Sequence, residues 1–298
     1  MPIFNAERFL EQSLTSLHAQ TYDDFELVIC DNASTDRTQE ICRDYAANDN
    51  RIRYFRNETN IGGPGNFNRA FHLCRGEYHK WSTADDYCDT KVLEKCVDVL
   101  DRHPEVVLCY PKTTLIDEGN ALIAQYHDNL NLQDPSPSER FMRLLATIGL
   151  CHAHLGLIRR QVLSRTTLLG HHLGSDADLL AELALYGRFF LMSEFLFFRR
   201  FHPASSSWDR EDMQRQRDYY DPGHKTYFGM HTIKKYIKLF TVVQRAPIGV
   251  SEKLRLFRFL GRRMRWDRAV LARELLETLR PARVVSCGIH SKHTNHTS

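Results

Sequence analysis

Residues 25–30, FELVIC, make an almost unbroken apolar run of strand length that ends in the polar turn DNASTD. A surface strand alternates apolar and polar side chains. A run apolar nearly throughout is buried on both faces, as in a parallel sheet covered by helices on each side. The small polar residues of the turn, 31–36, then cap a helix over 37–45. A buried strand that runs through a capped turn into a helix is one step of a βα crossover, and few architectures accept it.

The same alternation continues on both sides. Residues 6–19 place Phe9, Leu10, Leu14 and Leu17 on one helical face, with Asn5 as cap and Glu7 in the first turn. A strand is expected before this helix, and only its last residues, within 1–5, are present. Residues 52–57 read as a third strand, followed by a tight loop with glycines 62, 63 and 65 and Pro64, then a helix over 68–74. A strand over 78–82, an amphipathic helix over 91–102 and a strand over 106–110 complete the series. This order predicts an α/β fold: a Rossmann-like, mostly parallel sheet with crossover helices.

The stretch 76–90, GEYHKWSTADDYCDT, sets two adjacent carboxylates, Asp85 and Asp86, beyond the carboxyl end of the fourth strand. Ligands bind at that edge of open α/β sheets, and hard oxygen donors there suit Mg²⁺ or Mn²⁺ holding a diphosphate. The plainer alternative is that the acids solvate a turn and cap the next helix.

Beyond Leu115 the alternation weakens. We expect a turn at 117–120, a Pro- and Asn-rich loop at 129–138, a serine-capped helix over 138–148 and a strand over 151–158. That strand would put His152 and His154 on one face, to bind a metal if a third ligand joined them, or to line an acceptor groove. Asp176 and Asp178 open a helix within 174–189, where N-terminal capping by acids is the structural alternative. A strand over 190–201 delivers Arg199, Arg200 and His202 to a serine-rich loop. Residues 225–283 carry 15 Lys and Arg against four acids. They read as two helices, 228–243 and 251–279, whose interleaved arginines and apolar residues suit an anionic membrane surface or a helical cap with a solvated basic face. The polar tail 286–298 is expected to be disordered.

A net charge of +3 on 40 basic and 37 acidic residues gives no case for nucleic acid. Eight cysteines without a C-x-x-C pair fit a reduced interior and argue against zinc. No apolar run approaches the length of a membrane span, so a cytoplasmic protein is expected, peripheral at the inner face of the plasma membrane if the basic helices touch lipid.

Taken together, residues 1–208 resemble the family 2 glycosyltransferases, which have the GT-A fold. The likeness lies in the PIFN turn, the strand ending in DNASTD, the loop NIGGPGNFN, the GEYHKWSTADD region, and GSDADLL with FRRFHPASSS. It implies a catalytic domain over 1–208, a helical basic region over 209–285 and the tail 286–298. It further implies that Pro2, Phe4 and Asn5 shape a base pocket with Glu7 beside them, that Asp31 accepts from N3–H of uracil or thymine, and that Asn60 and Asn68 line the nucleotide. Asp85 would hold the divalent ion, with Asp86 as neighbour or sugar contact and His202 as a further ligand or phosphate contact. Asp176 would be the general base of an inverting transfer from a UDP- or dTDP-sugar to a glycan or lipid-linked acceptor, and Asp178 the fallback. Four departures stand out: the clipped first strand, Thr83 in place of the first acid of the metal motif, Phe67 where many relatives have arginine, and Ser175 before Asp176. Thr83 and the short strand are what a non-catalytic sugar-nucleotide or glycan-binding protein of the same fold would show. A nucleotidyltransferase would need a glycine-rich basic loop after the first strand, where this chain has NAERF.

Overall fold

The computed structural model describes residues 1–128, 130–203, 205, 208, 211–223 and 229–279. The expected tail 286–298 and the start of the basic region, 225–228, lie outside them. The first sheet is β1 (Pro2–Ile3), β2 (Leu27–Asp31) and β3 (Ile52–Arg56), all parallel in the order β1-β2-β3, with Pro2 opposite Cys30 and Asp31 opposite Arg56. All five residues of β2 are buried, as its apolar run requires. The crossovers are α1 (Leu10–His18), which buries Leu10, Leu14 and Leu17, and α2 (Thr38–Asn48), which buries Ile41 and Cys42. Helix α3 (Gly63–Leu73) begins earlier than expected, because Gly63, Pro64 and Gly65 form its first turn instead of a loop.

The second sheet collects β4 (Tyr78–Lys80), β5 (Tyr87–Cys88), β6 (Val106–Ile116), β7 (Leu122–Tyr126), β8 (Leu157–Arg159) and β9 (Arg188–Arg200). Its order is β4-β8-β6-β9-β5, with β7 paired to β6. Here β6 and β9 run parallel from Val106–Arg188 to Ile116–Arg200, while the other pairs are antiparallel. Parallel pairing thus holds for the first sheet and for this central pair. Helix α4 (Val92–Arg102) buries Val92, Leu93, Cys96 and Leu100. Helix α5 (Pro137–Thr147) is capped by Ser136, whose hydroxyl accepts from the Glu139 amide.

The strand expected over 151–158 is a correction. His152–Leu155 is a 3₁₀ turn entered through a left-handed Cys151 (φ 58°), and only the last part is β8. Gly156 then packs so tightly that a side chain would meet the Cys109 carbonyl at 2.6 Å. His152 and His154 therefore do not share a strand face. The short α6 (Arg160–Leu163) leads to α7 (Ser175–Tyr186), buried along most of its length. After β9 come α8 (Met213–Tyr220), α9 (His231–Arg245), α10 (Val250–Trp266) and α11 (Arg268–Leu279). The single helix expected over 251–279 is broken at Asp267, which accepts a hydrogen bond from the Tyr236 hydroxyl at 2.5 Å. Leu239, Val242, Val243, Leu256 and Leu260 from α9 and α10 join the same apolar core as the second sheet. No described helix is long and apolar enough to cross a membrane.

Candidate active site

A cleft of about 780 Å³ is lined by the loop that follows β1, the first turns of α3 and α7, the acid pair and part of α8. Pro2, Phe4, Asn5, Asn60, Thr83, Asp85, Asp86, Asp176 and His202 all line it; Glu7, Asp31 and Asn68 do not.

One part of the cleft is built by the chain leaving β1 and β2. Asn5 takes a left-handed conformation (φ 46°) that local hydrogen bonds hold: its amide donates to the Ser34 hydroxyl and its Oδ1 accepts from the Thr35 amide. Phe4 is left half-exposed beside it. Glu7 is committed elsewhere, accepting from the Arg37 amide at 2.9 Å. Asp31 has no exposed surface, and its carboxylate accepts from the Ser34 amide (2.9 Å), the Tyr54 hydroxyl (2.6 Å) and the Arg56 guanidinium (2.7 Å). Burial pushes its pKa up, but these donors outweigh burial and hold the carboxyl below the usual range. Asp31 thus ties β2 to β3, and it is the next residue, Asn32, that faces the cleft.

Asn32 belongs to a directed chain of amides. Asn66 donates to the Cys30 carbonyl, Asn57 to both Asn66 and Asn32, and Asn32 to Asn60, whose Oδ1 also accepts from the Gly62 amide. Asn60 sits last in the chain and at the cleft. Asn68 instead makes a two-way bond with the backbone of Leu169, fixing α3 to the segment before α7.

At the other end, Asp85 Oδ2 lies 3.0 Å from His202 Nε2. The imidazole is held edge-on to Phe9, with centroids 5.1 Å apart. Asp86 turns inward, accepting from the Arg200 amide (2.9 Å) and the Thr83 hydroxyl (2.5 Å). Burial, and then Asp85 beside it, push its carboxyl up. Arg200 is 1% exposed and fastens this corner. Its guanidinium donates to the carbonyls of Asp85, Asp117 and Glu118 and to the side chains of Gln12 and Asn120.

Across the cleft, Asp176 stands in the first turn of α7 behind a left-handed Gly174 (φ 81°). Asp178 is 2% exposed, 2.9 Å from His172 Nε2, and is not among the cleft residues. Of the two histidines considered together, His154 lines the cleft and His152 packs against Tyr126. No cluster of three potential metal ligands occurs among the described residues. Arg199, Arg215 and Tyr219 also line the cleft and were not singled out by the sequence as site residues. Burial, then Asp176 and Asp85, raise the Tyr219 phenol.

The family model described as Glycosyl transferase family 2 matches residues 1–167. Chondroitin synthase of Escherichia coli is 25% identical over 222 residues, 74% of this chain and 31% of that protein. The putative glycosyltransferase EpsE of Bacillus subtilis is 38% identical over 104 residues, 35% of this chain and 37% of its own. The chain spans less than half the length of these relatives. Among solved structures, S. aureus TarS 1-349 in complex with UDP-GlcNAc has a TM-score of 0.63 at 18% identity, covering 90% of this chain and 72% of that one. The mannosyltransferase PcManGT of Pyrobaculum calidifontis, in complex with GDP-Man and Mn²⁺, has a TM-score of 0.54 at 16% identity, covering 93% and 73%.

Proposed function

Because this chain belongs to glycosyl transferase family 2 and has the GT-A fold, we propose that its cleft binds a nucleoside-diphosphate sugar and inverts the sugar onto a hydroxyl acceptor. The observation that carries this reading is the set of acids in one cleft: Asp85 beside His202, and Asp176, which makes no ion pair among the described residues. The acceptor is a glycan or lipid-linked saccharide of cell-surface polysaccharide synthesis, a reading to which the relative named chondroitin synthase lends a glycan product. The base is uracil or thymine, with Phe4 as a stacking face and Asn60, last in the amide chain, presenting its side chain to the edge. A contact from Asp31 would first require Tyr54 or Arg56 to let go of its carboxylate.

The residues present fit Mg²⁺ or Mn²⁺. Asp85 and His202, now 3.0 Å apart in a hydrogen-bonded pair, are the residues that would hold the ion once that contact opened. A hard divalent ion held by few protein groups would rely on the diphosphate itself for the rest of its oxygen donors. When bound, the ion neutralises charge on the leaving diphosphate. Phe9 and Arg200 hold the imidazole and the acid loop in place, and Asp176 takes the proton of the attacking acceptor hydroxyl. The exposed Arg258, Arg262 and Arg265 with Trp266 on α10 would set the protein on an anionic membrane, at the cytoplasmic face where lipid-linked acceptors are assembled.

Calorimetry with uridine, thymidine and guanosine diphosphates, each with and without Mn²⁺, tests the donor end, and Asp176→Asn tests the acceptor end. The expected result is metal-dependent binding of a pyrimidine diphosphate, retained in Asp176→Asn while turnover falls by about 10²–10⁴. A variant that loses donor binding along with turnover would remove Asp176 from the role of base. Full turnover in Asp176→Asn would do the same.

A further inference from the structure

Helix α8 reaches the cleft only because two residues beneath it lack side chains. A Cβ on Gly63 would lie 2.3 Å from Tyr219 Cζ and 2.6 Å from the phenol oxygen. Gly62 holds a left-handed backbone (φ 80°), and a Cβ there would meet the Tyr220 carbonyl at 2.9 Å. The helix is also tied at its ends: His171 Nδ1 lies 2.9 Å from the Tyr220 carbonyl, and Arg215 donates to the Ser205 carbonyl. Tyr220 packs edge-on against Tyr219, at 5.0 Å between centroids, and stiffens the ring. Among the described residues the Tyr219 hydroxyl has no hydrogen-bond partner, although it lines the cleft within electrostatic reach of both Asp85 and Asp176.

We infer that Tyr219 is a specificity residue for the transferred sugar, its hydroxyl hydrogen-bonding a sugar hydroxyl between Asp85 and Asp176. This rests on the donor-site reading above, which puts the diphosphate at Asp85 and the acceptor at Asp176 and so leaves the sugar between them. The chemistry agrees. A diphosphate is matched by a cation, and Arg199 and Arg215, which line the same cleft, offer that charge where a phenol does not. A neutral phenol both donates and accepts, as a sugar hydroxyl does, and its ring offers an apolar wall to a sugar face.

The test compares paired ligands by calorimetry in Mn²⁺: uridine diphosphate with UDP-GlcNAc, and guanosine diphosphate with GDP-mannose. Tyr219→Phe keeps the ring and removes the hydroxyl. Binding of the bare diphosphate should stay within about twofold, while the matching nucleotide sugar weakens about three- to tenfold, the range of one hydrogen bond. Gly63→Ala should displace the phenol and reproduce that selective loss, and adding Tyr219→Ala to it should bring no further loss. Unfolding curves of each variant identify any that lose the fold, and Tyr219→Phe decides alone if Gly63→Ala does. Equal weakening of diphosphate and sugar nucleotide in Tyr219→Phe, or no change in either, would overturn the inference and leave the donor-site reading standing. Failure of the wild-type chain to bind any of the four ligands would overturn both.

Discussion

Lowering the pH from 7 to 5 should cost this fold about 2 kcal/mol through one side chain, His79. It sits on β4, the strand that leads into Trp81 and the acid pair, and is 4% exposed. Its ring is packed edge-on against Phe71 (5.1 Å) and Trp81 (4.7 Å), and Nε2 has no hydrogen-bond partner among the described residues. Burial, with Arg160 and Lys80 adding to it, lowers the imidazole from 6.5 to about 3. The folded pKa thus lies below the unfolded one, so the stabilising contribution is complete above the unfolded value and is lost as pH falls toward the folded value. Between pH 7 and 5 the unfolded imidazole goes from about a quarter protonated to almost fully protonated while the folded one stays neutral, and that difference is worth about 2 kcal/mol. The figure hardly changes if the folded value lies anywhere below 4, because at pH 5 the folded ring is neutral in either case. Denaturant unfolding at both pH values, on the wild type and on His79→Leu, measures it. Whatever the substitution costs at pH 7, the variant should lose about 2 kcal/mol less than the wild type on acidification. Equal losses would refute the reasoning and mean that the ring is solvated or partnered in solution.

Arg200→Lys replaces a five-donor fork by at most three donors and strands two or more acceptors in a buried corner, so it should destabilise by about 3 kcal/mol and lower Tm by about 6–12 °C. A Tm within a degree or two of wild type, read by calorimetry, would show that the corner is wet. Flotation with anionic liposomes should carry the protein at low salt and release it at high salt, as expected for the exposed arginines and Trp266 of α10. No flotation at either salt concentration would remove the membrane claim.

How far the sequence could be read varied with how local the deciding forces were. The buried strand β2 and the apolar faces of α1 and α4 follow from patterns that need no distant partner. The length of β6 does not, since Pro111, Lys112 and Thr113 look like a strand end until β9, itself expected over nearly its full length, pairs alongside them. Residues 151–158 alternate like a strand, but a left-handed Cys151 and the close packing of Gly156 decide otherwise. Within the site, Asp85, Asp176 and His202 were reached through the order of their motifs and line one cleft. Asp31 and Asn32 are neighbours on a strand end, so their side chains point to opposite sides, and one sequence does not say which side the cleft is on. Helix α8 was missed because its contact with the cleft depends on a phenol lying over a glycine some 150 residues earlier, which leaves no apolar period to detect.

Asp85 and His202 are 117 positions apart in the chain, and the cleft draws on residues from Pro2 to Pro222. A ribosome adding about 5–20 residues per second leaves the carboxylate waiting roughly 6–23 seconds for its imidazole. During that interval the parallel first sheet can assemble, while the contact between Asp85 and His202 cannot yet exist. Chains that end before His202 would lack the imidazole beside Asp85, and the cleft is complete only once the residues up to Pro222 have followed β9.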